Sequence, residues 1–329
     1  MFWENKRVVV TGAGGFIGSH LVEALVGHGA RVKAFVRYNS RHDAGLLTVL
    51  PRDQQKEIEV VFGDLRDTDA VRTALRQTEV VFHLGALIAV PYSYAHPREV
   101  VETNVLGTLN VLMAAREENV ARIVHTSTSE VYGTAQRVPI DESHPLQGQS
   151  PYAASKIGAD KIAESFCRAY SMPISIIRPF NTYGPRQSAR AVIPTLISQA
   201  LTRDKLTLGA LHPIRDFTFA EDTVRAFLAI AESPRSAGEE INVGSGVEIS
   251  IGDLARRIVT LIGRDAQVDV DTKRLRPPRS EVERLLADNR KAKRLLNWEP
   301  QISLDDGLRI TIDWIARNLE RYRPDVYEI

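Results

Sequence analysis

One cysteine, Cys167, stands in 329 residues, which excludes an intramolecular disulfide and any cysteine-built metal cluster. Neither sign of charge is in excess. The 42 Lys and Arg residues face 41 Asp and Glu, a formal net charge of +1, so nothing in the balance calls for a nucleic-acid or membrane surface. Long apolar runs are also missing. The longest, 80–90, carries His83 and Gly85 and stops at Pro91; it is too short to span a bilayer and suits a buried strand with its exit loop. Residues 1–7 lack the apolar core of a signal peptide. These absences set the expectation of a soluble protein in a reduced, cytoplasmic setting, with no metal and no nucleic-acid or membrane partner.

The chain is long enough to bury a sizeable core. In its first half, β-branched runs at 7–11, 31–37, 59–63, 80–83, 122–126 and 174–178 alternate with helical patterns at 18–27, 68–76, 100–117 and 151–170. Strands separated by helices predict βαβ units and an α/β fold, a doubly wound parallel sheet of the Rossmann type. After Pro179 the pattern changes. Helices at 192–201, 221–232, 251–263 and 304–319 mix with short strands at 206–208, 240–243 and 267–270. The expected organisation is a dinucleotide-binding domain over 1–185 and a smaller substrate lobe over 186–329, with 240–246 returning to the main sheet.

Thr11-Gly12-Ala13-Gly14-Gly15-Phe16-Ile17-Gly18 lies between the first strand and a helix. Gly12, Gly15 and Gly18 allow a tight turn, close approach of backbone to a pyrophosphate, and tight helix–strand packing; the helix N-terminus, with Phe16 and Ile17, then faces the phosphates. Further cofactor positions follow the strand ends: Asp64 and Leu65 at the adenine, Leu84, Gly85 and Ala86 at the nicotinamide ribose, and Asn104 supporting that edge. The second strand ends in Arg37-Tyr38-Asn39-Ser40-Arg41 with no acid. An acid there would bind a ribose 2′-hydroxyl, whereas Arg accommodates a 2′-phosphate. Arg37, with Asn39 and Ser40, therefore leans towards NADP, with NAD as the alternative.

Tyr152 and Lys156 are four apart on a helix that Pro151 can open, so they share a face. An ammonium beside a phenol stabilises the phenolate, which lets Tyr152 act as a base.

With these motifs in place, the chain resembles an extended short-chain dehydrogenase/reductase acting on nucleotide sugars. The resemblance runs nearly end to end, through His83-Leu84-Gly85-Ala86, Asn104-Val105-Leu106-Gly107-Thr108, Arg178-Pro179-Phe180-Asn181, Arg215-Asp216-Phe217 and Asn297-Trp298. It implies that Tyr152 deprotonates a sugar 4-hydroxyl, that Thr128 hydrogen-bonds the same oxygen, and that two subunits pair through a four-helix interface formed by 100–117 and 151–170. Thr128-Ser129-Glu130 narrows the subfamily. Family 4-epimerases generally lack this carboxylate, whereas Glu130 could remove the C5 proton once C4 is a ketone. The triplet resembles GDP-mannose 4,6-dehydratases and also UDP-glucuronate decarboxylases. Ser129 replaces the acid that dTDP-glucose dehydratases carry, so the proton donor to the leaving water stays open.

The run from Arg178 through Arg190 to Pro194, with Ser280 to Arg284, is most similar to the 4,6-dehydratases of legionaminic acid pathways, which act on a nucleotide-linked N-acetylglucosamine. By that resemblance Ser129, Asn181, Val192, Arg215, Arg276 and Glu281 form the substrate site, with Asn181, Arg215 and Arg276 on the diphosphate. The alternatives are a decarboxylase, a 4-epimerase, or a redox-silent NAD(P)-binding regulatory protein on the same fold.

Overall fold

The computed structural model describes residues 2–322. Six strands rise from the first half of the chain: β1 (Arg7–Thr11), β2 (Arg31–Arg37), β3 (Ile58–Gly63), β4 (Val80–His83), β5 (Arg122–Thr126) and β6 (Ile174–Pro179). Six shorter ones follow: β7 (Asn181–Tyr183), β8 (Lys205–Leu208), β9 (Ile214–Phe219), β10 (Glu240–Val243), β11 (Glu248–Ser250) and β12 (Gln267–Val270). A seven-stranded sheet runs in the order β3-β2-β1-β4-β5-β6-β10, and each neighbouring pair is parallel. The order reverses beside β1, which opens a crevice at the carboxyl ends of β1 and β4.

Successive side chains of a strand point to opposite faces, so the apolar runs feed two cores. Val8 and Val10 join Leu21, Val32 and Phe82 on one face, while Val9, Val81 and Ile123 meet Val111, Leu112 and Phe166 on the other. The first core also takes Val224 and Phe227 from the helix Ala220–Glu232, and Trp298. The indole Nε1 of Trp298 donates to the Asp222 carbonyl at 3.0 Å. The later half of the chain thus contributes a helix and an anchor as well as β10 to this layer. A third core, built on Leu196, Leu206, Phe219, Leu254 and Leu308, holds the lobe that carries β8 with β12 and β7 with β9 and β11.

Three local readings needed correction. The single helix expected over 100–117 is a short helix Pro97–Val101, a π turn Glu102–Leu106 and a helix Gly107–Glu117. The extra residue per turn aims Asn104 inward, as π turns near functional sites often do: its amide bonds both backbone groups of Leu87 at 2.8 and 2.9 Å. β9 was not expected, because the adjacent Arg215-Asp216 disguises an otherwise apolar strand. β7 and β11, three residues each, are too short for a periodicity to show.

Candidate active site

Ser150 caps the helix Pro151–Tyr170 by accepting from the Ala153 amide, and Pro151 opens its first turn. Tyr152 therefore sits at the helix mouth with Lys156 one turn deeper, and both are buried. Opposite them, Thr128 caps the short 3₁₀ turn Ser129–Tyr132: its hydroxyl accepts from the Glu130 amide at 3.2 Å and also hydrogen-bonds the Tyr152 phenol. Burial raises the Tyr152 phenol above its ordinary value, the Thr128 hydrogen bond opposes this, and Glu130 and Asp160 raise it further. The lowering expected from the Tyr–Lys spacing is not found: the one group that lowers the phenol is Thr128, and desolvation with two carboxylates raises it. Burial pushes Lys156 down to about 8, against the pull of Asp160.

Glu130 faces the other lobe. Its Oε2 lies 3.5 Å from Nη1 of Arg276, which is also 3.9 Å from Oε1 of Glu281. Arg215 reaches the same Glu281 oxygen at 3.2 Å. Alternation along β9 explains the geometry. Arg215 turns to this cluster, while Asp216 turns away to accept from the amides of Ser245, Gly246 and Ala287. Burial works against the charge on Arg215 and holds it below its ordinary value, Arg276 adding to this and Glu130 and Glu281 opposing it. Arg276 is held above its ordinary value by Glu130 and Glu281 despite burial. Two guanidinium groups held by two carboxylates at a cavity wall suit exchange of partners with a diphosphate.

Two cavities meet at Asn181, Thr182 and Gln187. One, of about 500 Å³, is lined by Gly12, Gly15, Phe16, Ile17, Gly18, Arg37, Leu84 and Ala86 and ends at Thr128, Ser129, Glu130, Tyr152 and Lys156. The other, of about 370 Å³, is lined by Asn181, Val192, Arg215, Arg276 and Glu281, and also by Pro91, Arg190 and Arg274. Asp64, Leu65 and Gly85 line a smaller recess beside Arg37.

The residues fit a dinucleotide. A Cβ on Gly18 would fall 2.2 Å from the Gly12 carbonyl, so helix and turn pack as closely as glycine allows, and Gly12 itself has φ +69°. The helix Phe16–Gly27 has no side-chain cap, which leaves its first amides directed to the groove for an anion.

Most of the expected residues are brought together, but Asn39, Ser40 and Asn104 line neither the two cavities nor the recess. Asn39 spends its side chain on its own turn, accepting from the Arg41 and Asp43 amides at 3.1 and 3.0 Å, and Ser40 is exposed. Asn104 is buried, its amide tying Leu87 and also donating to the Ser155 hydroxyl at 2.9 Å on the helix of Tyr152 and Lys156. Sequence reasoning missed Gln187, Asp43 and Gly45 as wall residues. It also missed Glu99, whose Oε1 lies 3.4 Å from Nη2 of Arg37: the acid absent from the end of β2 arrives from another helix. Among the described residues no cluster of His, Cys, Asp and Glu could hold a metal, and no helix is long and apolar enough to cross a membrane.

The family described as GDP-mannose 4,6 dehydratase matches residues 9–311. The chain belongs to the extended short-chain dehydrogenase/reductase family of nucleotide-sugar epimerases and dehydratases. Within this family it is 34% identical to a UDP-glucose 4-epimerase of Mycolicibacterium smegmatis, over 94% of this chain and 98% of that one. Among solved structures it is similar to Pal from Bacillus thuringiensis (32% identity, TM-score 0.87, 95% and 99% of the two chains). It is equally similar to the dTDP-glucose 4,6-dehydratase DesIV from Streptomyces venezuelae, solved with NAD bound (32% identity, TM-score 0.86, 97% and 99%). Epimerase and dehydratase stand at nearly equal identity, so overall likeness does not separate the family's reactions.

Proposed function

We propose that this protein is a nucleotide-sugar 4,6-dehydratase that converts a UDP- or GDP-linked N-acetylglucosamine to its 4-keto-6-deoxy product. The observation that carries the reading is Glu130, a carboxylate in the same cavity as Tyr152, Lys156 and Thr128. A 4-epimerase needs the last three but has no use for a base at C5.

In this reading Tyr152 takes the proton of the 4-hydroxyl and Thr128 holds that oxygen. A bound NAD or NADP supplies the hydride acceptor at C4 and the hydride donor at C6, so no net oxidant is consumed. Glu130 removes the C5 proton, made acidic by the neighbouring ketone, and the 6-hydroxyl leaves as water. Ser129 is no acid, so Glu130 also delivers the proton to the departing oxygen. Asn181, Arg215 and Arg276 hold the diphosphate. Gly12, Gly15, Gly18, Arg37, Asp64 and Leu84 to Ala86 hold the dinucleotide, with Arg37 favouring a 2′-phosphate.

The reading extends to a cytoplasmic homodimer. Val101, Leu106, Met113 and Tyr170 expose 40–50% of their surface on Pro97–Glu117 and Pro151–Tyr170, apolar surface that a second subunit would cover; sedimentation as a monomer would exclude it.

The decisive experiment is incubation of the purified protein with UDP- and GDP-N-acetylglucosamine and UDP-glucuronate, followed by mass analysis. Loss of one water supports the dehydratase. Unchanged mass with inverted C4 identifies a 4-epimerase, and loss of carbon dioxide identifies a decarboxylase. No change, with no cofactor reduction, identifies a redox-silent binding protein.

A further inference from the structure

We propose that Asp160 is a positioning residue: its buried carboxylate, held one helical turn below Lys156, supports the ammonium beneath Tyr152 and so acts on proton exchange at the phenol. The inference rests on the oxidation step proposed above, which the dehydratase, epimerase and decarboxylase readings share.

The placement is helical. Tyr152, Lys156 and Asp160 are spaced by four residues on Pro151–Tyr170, so phenol, ammonium and carboxylate descend one face, a turn apart. Asp160 is 1% exposed. Its Oδ2 accepts from the Ser127 hydroxyl at 2.7 Å and from Nε and Nη2 of Arg178 at 3.3 and 3.1 Å. Its Oδ1 lies 3.3 Å from Nε2 of His125.

The other charged or titratable groups around the lysine do not replace this carboxylate. His83 comes from β4 and His125 from β5. Burial lowers both imidazoles; His125 and Lys156 add to this at His83, and Lys156 adds to it at His125, where Asp160 opposes it. Glu130, on the loop after β5, acts on Tyr152. Arg178, from β6, is turned to Asp160; its Nη1 continues to the Tyr132 hydroxyl at 3.0 Å and to Glu240 at 3.2 Å. Asp160 is the carboxylate that favours the ammonium. Burial works against ionisation of Asp160 itself, but His125, Arg178 and Lys156 more than offset it and hold it below its ordinary value.

Two directions oppose each other on Lys156: burial favours the neutral amine and Asp160 favours the ammonium. Asp160 also raises the Tyr152 phenol. Removing its charge therefore moves both groups the same way, to lower pH. A carboxylate that only held Ser127 and Arg178 in place would move neither.

The test reads Lys156 directly. Protein labelled at lysine Cε is titrated by carbon NMR, the Lys156 signal being assigned by its loss in Lys156→Arg. Asp160→Asn keeps acceptors for Ser127 and Arg178 and should lower the midpoint by about one pH unit. Ser127→Ala removes a hydrogen bond but no charge and should leave it in place. If Asp160→Asn does not fold because Arg178 loses its buried carboxylate and keeps only Glu240 as an ion-pair partner, Asp160→Asn with Arg178→Met removes both charges, and the midpoint should again fall. In parallel, the pH profile of nicotinamide reduction by a nucleotide sugar should shift to lower pH on both limbs. An unmoved midpoint in the folded variant overturns the inference, whatever its activity. Absence of cofactor reduction in the unmodified protein, with the midpoint still falling in the variant, overturns the oxidation reading and leaves the charge coupling standing.

Discussion

Nη1 of Arg276 lies 3.5 Å from Oε2 of Glu130 and 3.9 Å from Oε1 of Glu281, so one guanidinium is shared between the carboxylate proposed for C5 chemistry and a wall of the substrate cavity. Replacing Arg276 with Gln should raise KM for the nucleotide sugar about tenfold or more, because charge-assisted contacts to a diphosphate are lost. Steady-state kinetics check this; an unchanged KM would remove Arg276 from the diphosphate.

Glu130→Gln separates oxidation from elimination. The amide cannot take the C5 proton, so dehydration should fall by about two to four orders of magnitude. Reduced nicotinamide should still form on mixing with substrate, visible as its near-ultraviolet absorbance. If dehydration persists at the unmodified rate, Glu130 is not the base.

Cofactor choice turns on Arg37 and its partner Glu99, which also accepts from the Tyr92 hydroxyl at 2.5 Å. That hydrogen bond, with Arg37 and Arg66 nearby, holds Glu99 below its ordinary value. It stays ionised and competes with a 2′-phosphate for Arg37. Arg37→Ala should weaken NADP binding about tenfold and leave NAD little changed. Glu99→Gln should strengthen NADP binding. Fluorescence titration with the two reduced cofactors decides it, and equal effects on both would take Arg37 away from the 2′ position.

His20 offers a test of stability against pH. On the glycine-loop helix its Nε2 lies 2.9 Å from the Pro185 carbonyl, and burial, with Arg186, lowers it to about 4. A lowered histidine binds fewer protons folded than unfolded, so its penalty begins as pH falls below its ordinary value and is complete below about 4. Between about pH 7 and about pH 5 this group should remove about 2 kcal/mol of stability. Urea unfolding at both pH values should show that loss, and His20→Gln should flatten it. An equal slope in both proteins would place the acid sensitivity elsewhere.

The bounds of β1, β2, β4, β5, β10 and β12 were legible in the sequence to the residue, because apolar β-branched runs between turn residues form a local signal. The glycine loop and the Tyr152–Lys156 pair were legible for the same reason, their geometry being set within one turn or one helix. The sheet order was less so, although alternating strands and helices already required a parallel sheet.

Other features depend on residues distant in the chain and exist only after packing. Glu99 reaches Arg37, Arg276 reaches Glu130, Asp160 gathers Ser127, His125 and Arg178, and Asn104 ties down Leu87 across a π turn. No periodicity announces such contacts, since an ion pair depends on where two side chains meet and not on their spacing. The sequence by itself therefore determined the layers and the groups available for chemistry. Tertiary structure decided which charges face each other, because burial and proximity set the balance between desolvation and Coulomb attraction on which each protonation state depends.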